Sequence, residues 1–196
     1  MKNNDKYAKE NTNTKTHAIV IVAALALASI VMATVWQIPQ AAATSLEEIT
    51  ATRETPSPID QVWNVVSDID NETRYWSTFK AIKNINTVPI NMTSNTTERE
   101  VTIEAGPFGD TVTHQFVTVN PEQFVIKTNI TEGPVTGTRT LTLTPSSSST
   151  NATRIDVLWN VDLSGIPLFG RGFAKDGILT TTEESLTNIA AELEVR

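Results

Sequence analysis

Residues 166–194 read IPLFGRGFAKDGILTTTEESLTNIAAELE. Large apolar residues fall at Ile166, Phe169, Phe173, Ile178 or Leu179, Leu186, Ile189 and Leu193. Gaps of three and four, with some turns skipped, mark one apolar stripe on a helix of period 3.6. Pro167 suits the first helical position, where its missing N–H would be unpaired in any case. Asp176-Gly177 interrupts the pattern, because an interior Gly costs about 1 kcal/mol relative to Ala. Thr180 and Thr181, followed three residues later by Glu183 and Glu184, can cap a restarted helix. The spacing therefore predicts a kinked or two-part terminal helix whose apolar face needs a partner surface.

Working back from that helix, the chain offers mostly strands. Leu46–Thr55 reads as the first. Ser57 as N-cap with Pro58 at the first helical position then opens a helix through IDQVWNVV, with Ile59, Val62, Trp63 and Val66 on one face. Asp68–Trp76 (DIDNETRYW) is a short polar stretch with room for one helical turn, and Phe79–Thr87 is a second strand. Val88–Asn95 is a Pro/Asn/Thr loop. From there the chain alternates with period two. Val101 and Ile103 share a face in Thr97–Ala105, as do Val112, His114 and Phe116 in Thr111–Val119. Phe124, Ile126, Thr128 and Ile130 follow in Gln123–Thr131, then Val135, Gly137, Arg139, Leu141 and Leu143 in Val135–Leu143. Thr153–Leu163 adds Ile155, Val157, Trp159 and Val161. A sheet with one apolar face under one long helix is the economical packing for this order, an α+β domain.

Ahead of the domain, residues 1–17 are polar and expected to be disordered. Ala18–Trp36 (AIVIVAALALASIVMATVW) runs without a charge. As a helix it would be roughly 28 Å long, close to the thickness of a bilayer's hydrocarbon core. Trp36 suits an interfacial anchor, and Pro39 in the linker 37–45 can end the helix. The 15 Lys and Arg and 22 Asp and Glu divide into four against two in the tail and 11 against 20 beyond the run. The positive-inside rule then predicts a cytoplasmic N-terminus, a single-pass membrane anchor and an exported domain. Five Asn-x-Thr triplets, at Asn71, Asn91, Asn95, Asn129 and Asn151, all follow the run. The alternative is a signal peptide cleaved near Ala43, which would release the domain.

Composition excludes several classes. Without cysteine there is no disulfide framework, thiol nucleophile or Cys-ligated metal. Two histidines, His17 and His114, leave no multi-histidine metal site, so neither a metal nor a cofactor is expected. A net charge of −7 argues against nucleic acid as a partner.

The phrase TPSPIDQVWNVVSDIDNETRYW, the later TRTLTLTP and TRIDVLWNV, and the closing helix together resemble START-like proteins (the SRPBCC superfamily) over about residues 46–194. Within them they are similar to the polyketide cyclase/dehydrase and lipid-transport group. The likeness is one of order and spacing, without a catalytic signature. It implies a helix-grip fold, a curved antiparallel sheet wrapped around the long C-terminal helix, with an apolar cavity between them. The N-terminal run departs from the soluble intracellular pattern of most such domains.

That cavity would be lined by Trp76 and Phe79, by Val101, Ile103, Phe116, Phe124, Ile126 and Trp159 from the strands, and by Phe169, Phe173 and Leu186 from the helix. Taken singly, each is more readily a core residue than a ligand contact, since apolar side chains are buried by default. His114 and Arg139 are the polar exceptions on apolar faces. With a three-residue turn at Asn120–Glu122 and a four-residue turn at Glu132–Val135, His114 falls opposite Thr128, and Thr128 opposite Arg139. Strands ~4.8 Å apart would let this row hold the polar head of an amphipathic ligand. A buried Arg also requires a carboxylate, a phosphate or a protein acid. The alternative turns Arg139 outward at a Gly137 bulge. No Gly-x-Ser-x-Gly elbow or phosphate loop is present. Gly170-Arg171-Gly172 suits a gate at the start of the helix. The expectation is a membrane-tethered binder or carrier of a hydrophobic molecule (lipid, quinone or isoprenoid). The alternatives are a cyclase- or aromatase-like enzyme using His114 or Arg139, and a ligandless interaction or stress-response domain.

Overall fold

Seven Thr-, Val- and Ile-rich segments pair antiparallel in one sheet of order β1-β7-β6-β5-β4-β3-β2. The computed structural model describes residues 46–89, 94–104, 109–147 and 151–195. The chain divides into two units, Met1–Ala43 and Thr44–Arg196, and every described residue belongs to the second. The expected tail, membrane span and linker therefore lie outside the described residues. Among the described residues no helix is long and apolar enough to cross a membrane.

The strands are β1 (Glu47–Thr55), β2 (Phe79–Pro89), β3 (Asn95–Glu104), β4 (Asp110–Asn120), β5 (Val125–Glu132), β6 (Thr136–Pro145) and β7 (Thr153–Asp162). Between β1 and β2 come α1 (Ile59–Val66) and a 3-10 turn (Ile69–Arg74), and α2 (Leu168–Glu194) closes the chain. Beyond β2 the strands form a meander, and β1 returns to pair with β7. α2 lies against the inner face, tied by Trp159 Nε1 donating to Thr182 Oγ1 at 3.0 Å and by Arg53 Nη1 donating to Thr187 Oγ1 at 3.1 Å.

Two local expectations change. α1 begins one residue later than expected, with Pro58 in the cap position and no side-chain cap. α2 is continuous through Asp176-Gly177, so the expected break is absent. The threonines that could have capped a second helix, Thr180 and Thr181, stay inside the first. Nearby Thr182 and Thr187 donate to carbonyls four residues back, at 2.6 and 2.9 Å. A glycine penalty of about 1 kcal/mol is too small to break a helix whose second half is docked in the core.

The register holds the main correction. Thr128 pairs with Arg139 as expected. The β4–β5 turn, however, keeps Pro121 to Phe124 out of the ladder, and Asn120 pairs with Val125. Phe124 takes a positive φ of 52°, held by its ring against Trp63 at 5.5 Å. Thr128 therefore faces Val117, three residues from His114. An odd shift exchanges the faces of a strand. Thr113, Gln115 and Val117 are buried, whereas Val112, His114 and Phe116 belong to the outer face.

Gly137 keeps its place opposite Ile130 and Val161, so no bulge turns Arg139 outward. Its φ of +126° and the approach of Asn160 O, 2.2 Å from any added Cβ, leave no room for a side chain.

An added Cβ at Gly177 meets nothing within 4 Å. Gly177→Ala is expected to raise stability by about 1 kcal/mol, or roughly 2–4 °C in Tm, measured by thermal unfolding.

Candidate ligand-binding site

The inner face is divided. Toward β1, β7 and β6 it is apolar and packed on α2 through Ile49, Val157, Val161, Leu186 and Ile189. Toward β3 and β4 it carries Arg99, Thr113 and Gln115, all buried. The 3-10 turn supplies the acid that this half requires. Side chains three apart share a face at that pitch, so Ile69, Glu72 and Tyr75 all turn inward.

Glu72 is 2% exposed and joins two guanidinia that are themselves 0% and 3% exposed, those of Arg99 and Arg139. Its Oε2 accepts a very short bond from Arg99 Nη2, and its Oε1 accepts from Arg139 Nη2 at 2.7 Å. Arg99 also donates to Ile69 O at 2.9 Å and to Gln115 Oε1 at 3.0 and 3.2 Å. Gln115 in turn donates to Thr113 Oγ1 at 2.9 Å. Burial pushes the Glu72 carboxyl up, but the charges of Arg139 and Arg99 and their hydrogen bonds outweigh it. The group titrates below the ordinary glutamate range.

One carboxylate against two guanidinia leaves one buried positive charge. The Arg139 guanidinium carbon lies 4.4 Å from the Trp76 ring centroid, 5.6 Å from Trp159 and 5.8 Å from Phe79, so ring quadrupoles share that charge. Arg139 Nη2 also donates to Thr128 Oγ1 at 3.2 Å. Arg139 Nη1 and Trp76 Nε1 are buried and have no hydrogen-bond partner among the described residues. Leaving a buried donor unpaired costs about 1–3 kcal/mol, so two at adjoining side chains mark a place for an acceptor.

The structure thus brings Trp76, Phe79, Thr128, Arg139 and Trp159 together, with Val101, Ile126 and Leu186 buried in the same core. Ile103 is half-buried at the end where β3 finishes and β1, β4 and β6 begin. Val135, Ile166, Ile178 and Leu179 are also half-buried against the core and belong to the same end. Five expected residues fall elsewhere. His114 and Phe116 lie on the outer face, where His114 contacts Glu98 Oε1 at 3.0 Å and Thr131 Oγ1 at 3.1 Å. Phe124 packs on Trp63 at the opposite end. Phe169 and Phe173 are 82% and 80% exposed, on the side of α2 away from half-buried Ala174 and Ile178.

Glu72 and Arg99 were not expected at the site. Arg99 shares the odd set with Val101 and Ile103, so alternation alone places it inside. Glu72 is flanked at a spacing of three by Ile69 and Tyr75, a short 3-10 signal within a polar stretch. Among the described residues the centre beneath α2 is filled by these side chains, so the expected apolar cavity is not open there. A depression of about 270 Å³ lies at the far end, lined by Ser67, Ile69, Asp70, Asn84, Thr87, Asn95, Thr97 and Val119 and too polar for a greasy guest.

Comparison with known proteins agrees with this architecture. Residues 47–194 match the family described as polyketide cyclase / dehydrase and lipid transport. The chain belongs to that family and has its START-like, helix-grip fold. Among solved structures, a Thermus thermophilus protein is 16% identical with a TM-score of 0.64, the match covering 76% of this chain and 98% of that one. An aromatase/cyclase from a Streptomyces species is 14% identical with a TM-score of 0.62, over 77% and 96%. A START superfamily protein from Mycobacterium smegmatis is 16% identical with a TM-score of 0.61, over 75% and 97%. At these identities the likeness is one of fold. No curated protein matches the sequence significantly.

Glu72→Gln would leave two buried guanidinia without their acid. It is expected to cost about 3–5 kcal/mol in chemical denaturation at neutral pH. Because the folded-state pKa of Glu72 lies below its unfolded value, its contribution is present above the unfolded pKa and is lost as pH falls through the folded one. The wild type should therefore lose stability below about pH 4, and the variant should lack that component.

Proposed function

We propose that this domain binds one apolar molecule bearing a hydrogen-bond acceptor, of the lipid, quinone or isoprenoid kind. The ligand would sit between the sheet and the first half of α2, and residues 18–36 would hold the domain at the outer face of the cytoplasmic membrane. The observation that carries this reading is the pair of unpartnered donors, Arg139 Nη1 and Trp76 Nε1, among aromatic rings. A carbonyl, carboxylate or phosphate oxygen would satisfy them, and an anionic head would also offset the spare positive charge.

Access follows from how α2 is held. No residue from Leu168 to Gly177 is buried, whereas Thr182, Ser185, Leu186, Ile189 and Ala190 are. The first turns can lift while the second half stays docked. The half-buried rim of Ile103, Val135, Ile166, Ile178 and Leu179 would meet the ligand's tail. Each Å² of apolar surface withdrawn from water there contributes about 25 cal/mol. A cyclase reading would need a proton acceptor beside the ligand. His114 is on the other face of the sheet, and Glu72 is committed to two guanidinia, so binding without turnover is favoured.

Native mass spectrometry of the full chain released from detergent micelles should show a one-to-one adduct of lipid-like mass. Trp76→Phe removes one donor and keeps the ring, and should lower occupancy by about tenfold at comparable stability. A wild-type protein with no adduct, or equal occupancy in the variant, would contradict the site.

A further inference from the structure

The outer surface of the first half of α2 carries Leu168, Phe169 and Phe173, 79%, 82% and 80% exposed. Phe169 and Phe173 stand one turn apart on the side of the helix away from the sheet, and Leu168 flanks them. Large apolar side chains this exposed and this close together mark an interaction surface. Side chains that stand out from a helix end suit a soft apolar phase, into which they insert without a shaped pocket.

Its position names the occupant. Lys175 Nζ bonds Glu47 Oε2 at 2.9 Å, which pins this part of α2 to the first residue of β1. Leu46, immediately before it, is exposed as well. Only residues 37–45, none of them charged, separate that point from the uncharged run ending at Trp36. Nine residues span at most about 30 Å, so a domain tethered by that run is kept close to the surface it enters. Asp176, one turn beyond Phe173, must remain in water and limits insertion to the first turns of the helix.

We infer that Leu168, Phe169 and Phe173 dock the first half of α2 into the lipid surface of the membrane to which the domain is tethered. The helix would lie in the interface at a shallow depth of about 5–10 Å. The inference rests on the tethered reading above, and it sets the mouth of the site against the bilayer, so that a ligand passes between lipid and domain without crossing water.

The chain has no cysteine, so one introduced thiol can be labelled cleanly. Phe173→Cys, and Lys127→Cys on the exposed outer face of β5, each carry a polarity-sensitive fluorophore in the full chain. The protein is reconstituted in phosphatidylcholine vesicles with or without brominated acyl chains. The label at 173 should emit to the blue and lose roughly half or more of its emission in brominated vesicles, while the label at 127 should not. A chain that stays with the vesicles through an alkaline wash, with the 173 label unquenched and water-like, overturns the docking and leaves the span standing. A blue shift without quenching means that a second copy or another protein covers the patch, and also overturns it. A chain washed off the vesicles removes the span and the docking together. Residue 173 is far from the core, so loss of fold does not confuse the readings.

Discussion

One buried carboxylate holds two buried cations, and much of the domain's inner architecture follows from that. Glu72 reaches from a six-residue 3-10 turn to Arg99 on β3 and Arg139 on β6, strands separated in the sheet by β4 and β5. A polar group moved out of water must find partners, and a charge must find an opposite charge. Here the requirement closes the polar half of the sheet over the turn and fixes the turn in place. Backbone bonds finish the connection, with Trp76 N donating to Glu72 O at 2.8 Å. The acid, the indole stacked on Phe79 and the cation over both are parts of one object.

The two guanidinia have different local roles. Arg99 spends its donors on Glu72, Ile69 and Gln115, as a structural residue does. Arg139 keeps one nitrogen without a partner among the described residues and spreads its charge over three rings. That asymmetry points to Arg139 as the residue that meets a guest. A matching asymmetry runs along α2, whose second half is buried in the core while its first half is held by Lys175 and partly buried side chains. Stability and access are thereby assigned to different parts of one helix.

The sequence made the architecture legible because its signals were long. Period-two alternation in β3, β5 and β7 placed Val101, Ile126, Thr128 and Trp159 correctly, and the terminal stripe placed Leu186 and Ile189 under the sheet. Arg139 could be placed inside because the β5–β6 turn had the expected length. His114 and Phe116 were misplaced by the β4–β5 turn alone. Its added residues, ending at the positive-φ Phe124, moved the pairing by three and exchanged the faces. Phe169 and Phe173 follow one another at helical spacing, but the unbroken α2 turns them to the side opposite Leu186 and Ile189. Only the expected break at Asp176-Gly177 would have let the two halves share one stripe. Glu72 was hidden because a 3-10 turn is too short to show a pattern. Its presence follows from the requirement that a buried arginine have an acid, with the spacing of Ile69 and Tyr75 as a weaker second signal.

The most direct test of the central claim is a double-mutant cycle between Glu72→Gln and Arg139→Met, read by denaturant unfolding. If the acid and the cation form the buried bridge described, Glu72→Gln strands both guanidinia, whereas Arg139→Met leaves Glu72 paired with Arg99. The pair together then costs less than the sum by about 2 kcal/mol or more, because the double variant no longer buries an unpaired Arg139. Additive losses would mean that Glu72 and Arg139 do not depend on one another, and the site built on them would fail.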